Sequence, residues 1–81
     1  METPQKLDAR DHLTVGQRVT VRFQAYYYPG EVLALGKRAL VRFRTGRNQT
    51  GQVRERRMPL VATSRDAARL AALCCFVPEA V

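Results

Sequence analysis

Ala25-Tyr26-Tyr27-Tyr28-Pro29-Gly30-Glu31-Val32 holds all three tyrosines of the 81-residue chain, a Pro-Gly pair and the start of an apolar run. On its N-terminal side, Val19, Val21 and Phe23 alternate with Arg18, Thr20, Arg22 and Gln24. Strict alternation puts the two sets on opposite faces of a half-buried strand. On its C-terminal side, Val32 to Leu35 reads as an apolar strand and Gly36-Lys37 as a hairpin turn. Ala39, Val41 and Phe43 then repeat the first strand's parity, with Arg38, Leu40, Arg42 and Arg44 opposite. Pro29 lacks an amide donor, which predicts a strand start or an edge there, and Gly30 permits a bend. The tyrosine stretch is therefore expected to be the turn around which a small sheet closes.

Working outward, Thr45 to Gly51 is a polar loop with a glycine near each end. Gln52 to Met58 reads as a fourth strand, with Gln52, Arg54, Arg56 and Met58 on one face and Val53, Glu55 and Arg57 on the other. Pro59-Leu60-Val61 supplies a turn and a short fifth strand. Composition then changes. Ser64 is a candidate helix N-cap, and Asp66 sits in the first turn, where the helix dipole favours an acid. Ala67, Leu70, Ala71 and Cys74 fall on one helical stripe with Leu73 beside it, and Pro78 is a stop signal. A helix this short is marginal alone, so its apolar stripe must dock on the sheet or on a partner. The expected organisation is a flexible lead-in at 1–12, a five-stranded antiparallel barrel at 13–62, a C-terminal helix at 63–77 and a tail at 78–81.

Eighty-one residues support one domain with one small core. Fourteen Lys and Arg against seven Asp and Glu give a net charge of +7, which points to a polyanionic partner. Twelve of the fourteen are arginine, which suits bidentate phosphate contacts and is equally what codon composition alone can produce. The two cysteines, Cys74 and Cys75, are adjacent, a poor geometry for an unstrained disulfide. With no secretory leader pattern and no apolar run of membrane-spanning length, a reducing cytoplasm and no membrane association are expected. No metal-ligand spacing, nucleophile–base set or phosphate-cradling glycine loop is present, so neither an enzyme nor a cofactor is expected.

Val15-Gly16-Gln17-Arg18-Val19, Tyr27-Tyr28-Pro29-Gly30-Glu31-Val32, Leu40-Val41-Arg42-Phe43, Gly46 and Met58-Pro59-Leu60 together resemble a Tudor-like barrel of Src-homology-3 architecture. The resemblance spans about residues 13–62. Gly30-Glu31-Val32 is also similar to the Gly-x-Val element of KOW modules, which bind nucleic acid or ribosomal partners. The Tudor resemblance implies an aromatic cage for methylated lysine or arginine from Phe23, Tyr28 and Phe43. Tyr26 would be an extra wall and Asn48 a hydrogen-bonding partner for a methylated guanidinium. Cation–π attraction would hold the ligand, at roughly 0.5–2 kcal/mol. The loop that is acidic in lysine readers here carries Arg47.

The strand parities give a first functional expectation, a non-enzymatic module that binds DNA or RNA. Its basic face would comprise Arg18, Arg22, Arg38, Arg42, Arg44, Arg47, Arg54 and Arg56, and Tyr26 and Tyr27 would stack on bases at a loop tip. Between Gln17 and Val61 there are ten Lys and Arg but only two acids, Glu31 and Glu55, whereas an ordinary solvated surface mixes the two signs. The alternatives are the methyl-reader cage and a protein adaptor working through the C-terminal helix.

Overall fold

The computed structural model describes residues 6–45, 51–70 and 72–77. In chain order they form β1 (Lys6–Leu7), α1 (Ala9–His12), β2 (Arg18–Phe23), β3 (Tyr26–Leu35) and β4 (Ala39–Arg44), then β5 (Val53–Met58), β6 (Leu60–Val61), α2 (Ser64–Leu70) and β7 (Cys74–Phe76). The strands make one sheet in the order β1-β6-β7-β2-β3-β4-β5, antiparallel except for the parallel β6–β7 pair. The chain is thus mainly β, as the alternation predicts, but the sheet is seven-stranded, mixed and open rather than a closed five-stranded antiparallel barrel.

The expected turn lies elsewhere. Phe23 pairs with Tyr26, so the β2–β3 hairpin closes on the two residues Gln24 and Ala25, both at positive φ (51° and 68°). That is the backbone of a primed hairpin turn, usually built from Asn and Gly. The tyrosines and Pro29-Gly30 are interior to the ten-residue strand β3. Val32 N–H donates to the Gln17 carbonyl, so by the period of two Pro29's nitrogen points toward β4. The β3–β4 ladder ends at Gly30↔Phe43, one residue before a donor from position 29 would be needed. Proline therefore costs no ladder bond. Gly30 is there for close approach, since a Cβ would lie 2.7 Å from Val41 Cγ1 and 2.8 Å from Val21 Cγ2. A bulge between Val32 and Ala34 then bends the same strand.

The inner face of the sheet carries the main core. Val19, Val21, Val32, Ala39, Val41, Phe43, Met58, Leu60 and Cys75 are buried there, joined by Ala9 and Leu13. The lead-in is thus part of the fold from residue 6 onward. Leu7 packs on the core, and Asp8 caps α1 by accepting from the Arg10 amide (3.0 Å). The Arg10 guanidinium also binds both Asp8 carboxylate oxygens (3.1 and 2.9 Å), which with the amide bond holds the Asp8 carboxyl down at about 2.

The C-terminal expectation needs correction. Thr63, not Ser64, caps α2, its hydroxyl accepting from the Asp66 amide (3.2 Å). The helix ends at Leu70, and Cys74–Phe76 is a strand beside β2 and β6. Along a strand, neighbours point oppositely. Cys75 accordingly enters the main core, while Cys74 lies on the outer face with Phe76, Val61, Ala67 and Leu70 under α2. A strand covered on both faces reads as a continuous apolar run, so Cys74, the first residue of β7, falls at helical spacing from Ala67, Leu70 and Ala71 in the sequence although it begins a strand.

Candidate nucleic-acid interface

Cross-strand register decides which arginines meet. Arg18 faces Glu31, Glu31 faces Arg42, and Arg42 faces Glu55, so one row across β2–β5 on the outer face alternates in sign. Both acids of the central stretch stand in that row. Opposite charges at such positions favour a sheet by roughly 0.2–1 kcal/mol each, but among the described residues no salt bridge joins Arg18 or Arg42 to the acids they face. The next row runs Thr20, Pro29, Arg44 and Val53, and Arg57 faces Leu40 on the same side. Arg18, Arg42, Arg44, Glu31 and Pro29 line an open hollow of about 300 Å³ on this face.

The remaining expected site residues are dispersed. Arg54 faces Phe43 and Arg56 faces Val41, which puts both on the inner side of the sheet, away from Arg18, Arg42 and Arg44. Arg22 shares the outer face but is engaged. Its Nη1 donates to the carbonyls of Ala67 (3.0 Å) and Ala68 (3.4 Å), groups left open at the C-terminal turn of α2, where the dipole also favours a cation. Arg22 Nε is buried without a hydrogen-bond partner. Arg38 lies before β4, beside Lys6, Lys37 and Pro59 at the opposite end of the sheet from the β2–β3 turn. Arg47 and Asn48 fall outside the described residues.

The tyrosines divide by parity. Tyr26 (60% exposed) pairs with Phe23 and shares the inner side with Tyr28. Tyr27 (48% exposed) is on the outer side, its ring in a T-shaped contact with that of Phe76, centroids 5.9 Å apart. Tyr26 and Tyr27 thus form no common stacking platform. Phe23, Phe43 and Tyr28, the expected cage, do gather at one inner corner. The Phe23 and Phe43 centroids are 5.5 Å apart and those of Tyr28 and Phe43 6.5 Å. Phe43 is buried, however, and the face of Phe23 holds the chain's own Arg54 guanidinium, 5.6 Å from the centroid. The Arg54 Nη2 also donates to Gln52 Oε1 (3.2 Å). A cation already sits where an external one would be read.

Elsewhere, burial pushes the Cys75 thiol up to about 12 and Cys74 upward as well, so both stay protonated at neutral pH and neither is an activated nucleophile. Among the described residues no group of three or more His, Cys, Asp or Glu is placed to hold a metal ion. No helix among them is long and apolar enough to cross a membrane. Compared with known proteins, the chain matches no family model, no curated protein and no solved structure. The outer-face residues that the sequence reading did not place in the candidate site are Arg57, Glu31 and Glu55. The alternation of Gln52 to Met58 already separated Glu55 and Arg57 from Arg54 and Arg56, but nothing in a single strand's parity says which of its faces joins which face of the next.

Proposed function

We propose that the chain is a non-enzymatic nucleic-acid-binding module whose contact surface is the outer face of β2–β4. The reading rests above all on the hollow bounded by Arg18, Arg42 and Arg44. Phosphates would sit against the guanidinium groups, and the half-exposed Tyr27 ring on the same face would stack a base, at roughly 1–3 kcal/mol. Arg22, Arg54 and Arg56 are left out of this surface, the first because it caps α2 and the others because they face away. The net charge of +7 supports a polyanion over a cationic peptide, and Arg54 against Phe23 weighs against the methyl-reader alternative.

Three phosphate contacts on a single strand give a log–log salt slope near −2, or an affinity loss of about 20-fold between 50 and 200 mM salt. Fluorescence anisotropy with labelled single-stranded and duplex 20-mers reads this directly. Arg42→Glu with Arg44→Glu should abolish binding while the far-UV spectrum is retained. Absence of binding at 50 mM salt, or an unchanged affinity in that double variant, overturns the proposal.

A further inference from the structure

β5 is the outermost strand of the sheet, and among the described residues nothing pairs with its far edge. The Thr45 N–H donates to the Gln52 carbonyl, so Arg54, Arg56 and Met58 turn their backbone groups toward β4. By the same period, Val53, Glu55 and Arg57 present N–H and C=O outward. The opposite edge, β1, is only two residues long, so among the described residues β5 is the edge with a useful row of outward backbone groups. Of these, the Glu55 carbonyl accepts from the chain's own Arg56 Nη1 (2.8 Å), a contact an added strand would displace. Such a row is a template for another strand unless charge or shape prevents it.

We propose that β5 receives an extended acidic segment of a partner protein as an added antiparallel strand. Charge selects the occupant. Arg56 flanks the edge on the inner side and Arg57 on the outer side, with Arg54, whose guanidinium lies on Phe23 and Gln52, next along the inner side, against the single acid Glu55. A second copy of β5 is a poor occupant. Laid antiparallel about a two-fold axis at Glu55, it opposes Glu55 to itself and Arg54 to Arg56. With the axis at Arg56, that arginine opposes itself while Glu55 meets Arg57 of the other copy twice, so self-pairing in that register is an outcome the oligomeric state of the free chain must exclude. A heterologous strand escapes this with acids opposite Arg57, Arg56 and Arg54, a base opposite Glu55 and an apolar residue opposite Val53. Read from its N-terminus, that strand is acid-acid-base-acid-apolar. Ladder hydrogen bonds supply the affinity and the alternating side chains the selectivity.

The probe is the capped peptide Glu-Glu-Lys-Glu-Val, with two controls: the reversed-order peptide Val-Glu-Lys-Glu-Glu, and the original carrying N-methyl groups on the amides that would enter the ladder. Titrated into the full ¹⁵N-labelled chain, the parent peptide should slow amide exchange at Val53, Glu55 and Arg57 while leaving Arg54 and Arg56 unchanged. N-methylation should weaken binding at least tenfold, and Glu55→Pro, which removes an outward donor together with the carboxylate opposite Arg42, should weaken it more than Glu55→Gln, which removes the charge alone. Equal binding of the N-methylated and reversed peptides would mean charge attraction alone and overturns the proposal. So would protection absent from those three amides at saturating peptide, or exchange effects centred on Arg18, Arg42 and Arg44 instead.

Discussion

The two faces of the sheet use the same alternation to opposite ends. On the inner side β2, β3 and β4 interlock so closely that Gly30 leaves no room for a methyl group between Val21 and Val41. On the outer side, one residue away, Pro29 borders an open hollow. Within the outer face there is a second contrast. Arg22, near β7, lies under α2 and closes that helix, whereas Arg42, two strands over, stands in the open between Glu31 and Glu55. Residues of one type and one parity therefore serve different purposes, according to what covers their end of the sheet.

The sharpest break of the inner–outer contrast is a substitution at each of two neighbouring positions. Gly30→Ala forces Val21 and Val41 apart and should destabilise the fold by up to about 3 kcal/mol, the cost of overpacking a filled core. Pro29→Ala beside it meets no such wall and should cost less than about 1 kcal/mol, mainly through the greater freedom of the unfolded chain. Urea midpoints of the two variants measure the difference. Equal losses would show that the inner face is not as tightly filled as the Gly30 geometry implies.

A smaller effect separates the two arginines. Arg22→Met keeps the aliphatic stem but removes the donor to Ala67 and Ala68, and should cost about 1.5–3 kcal/mol, the range for a hydrogen bond to a charged group. Arg42→Met should cost under about 1 kcal/mol, as expected of an exposed cross-strand charge pair. Hydrogen exchange adds the diagnostic detail. Arg22→Met should expose the α2 amides first, and Arg42→Met should not.

Much of the fold was legible in the sequence because alternation is a property of single strands. β2, β4 and β5 lie where Val19–Phe23, Ala39–Phe43 and Gln52–Met58 place them, and Gly36-Lys37 does turn the chain. What could not be read is what depends on neighbours. β1 is two residues with no period of its own, and β7 is apolar throughout because α2 covers one side and the core the other. The candidate site suffered most. That Arg54 and Arg56 face away from Arg42 follows from the pairing Arg42↔Glu55, a register set in three dimensions. Arg22 was placed on the correct face, but α2 was expected to run on through Cys74 and Cys75, which left no helix end for it to cap.

The hairpin tip, where both faces begin, carries the mildest test. Gln24 and Ala25 hold positive φ without the Asn or Gly that make it easy, a strain of roughly 1 kcal/mol at each residue. Replacing them with Asn and Gly relieves this strain but gives the unfolded chain more freedom, an opposing loss of about 0.4–1 kcal/mol for the glycine. The balance should be a gain of about 1–1.5 kcal/mol, read as a higher urea midpoint at constant slope. The double change also leaves Phe23↔Tyr26 in register, so the inner aromatic corner and the outer Tyr27 should keep their places. If stability rises while nucleic-acid affinity is untouched, the strain at the tip serves neither face. If affinity falls although the fold is firmer, the strained turn is itself part of how the outer face presents Tyr27.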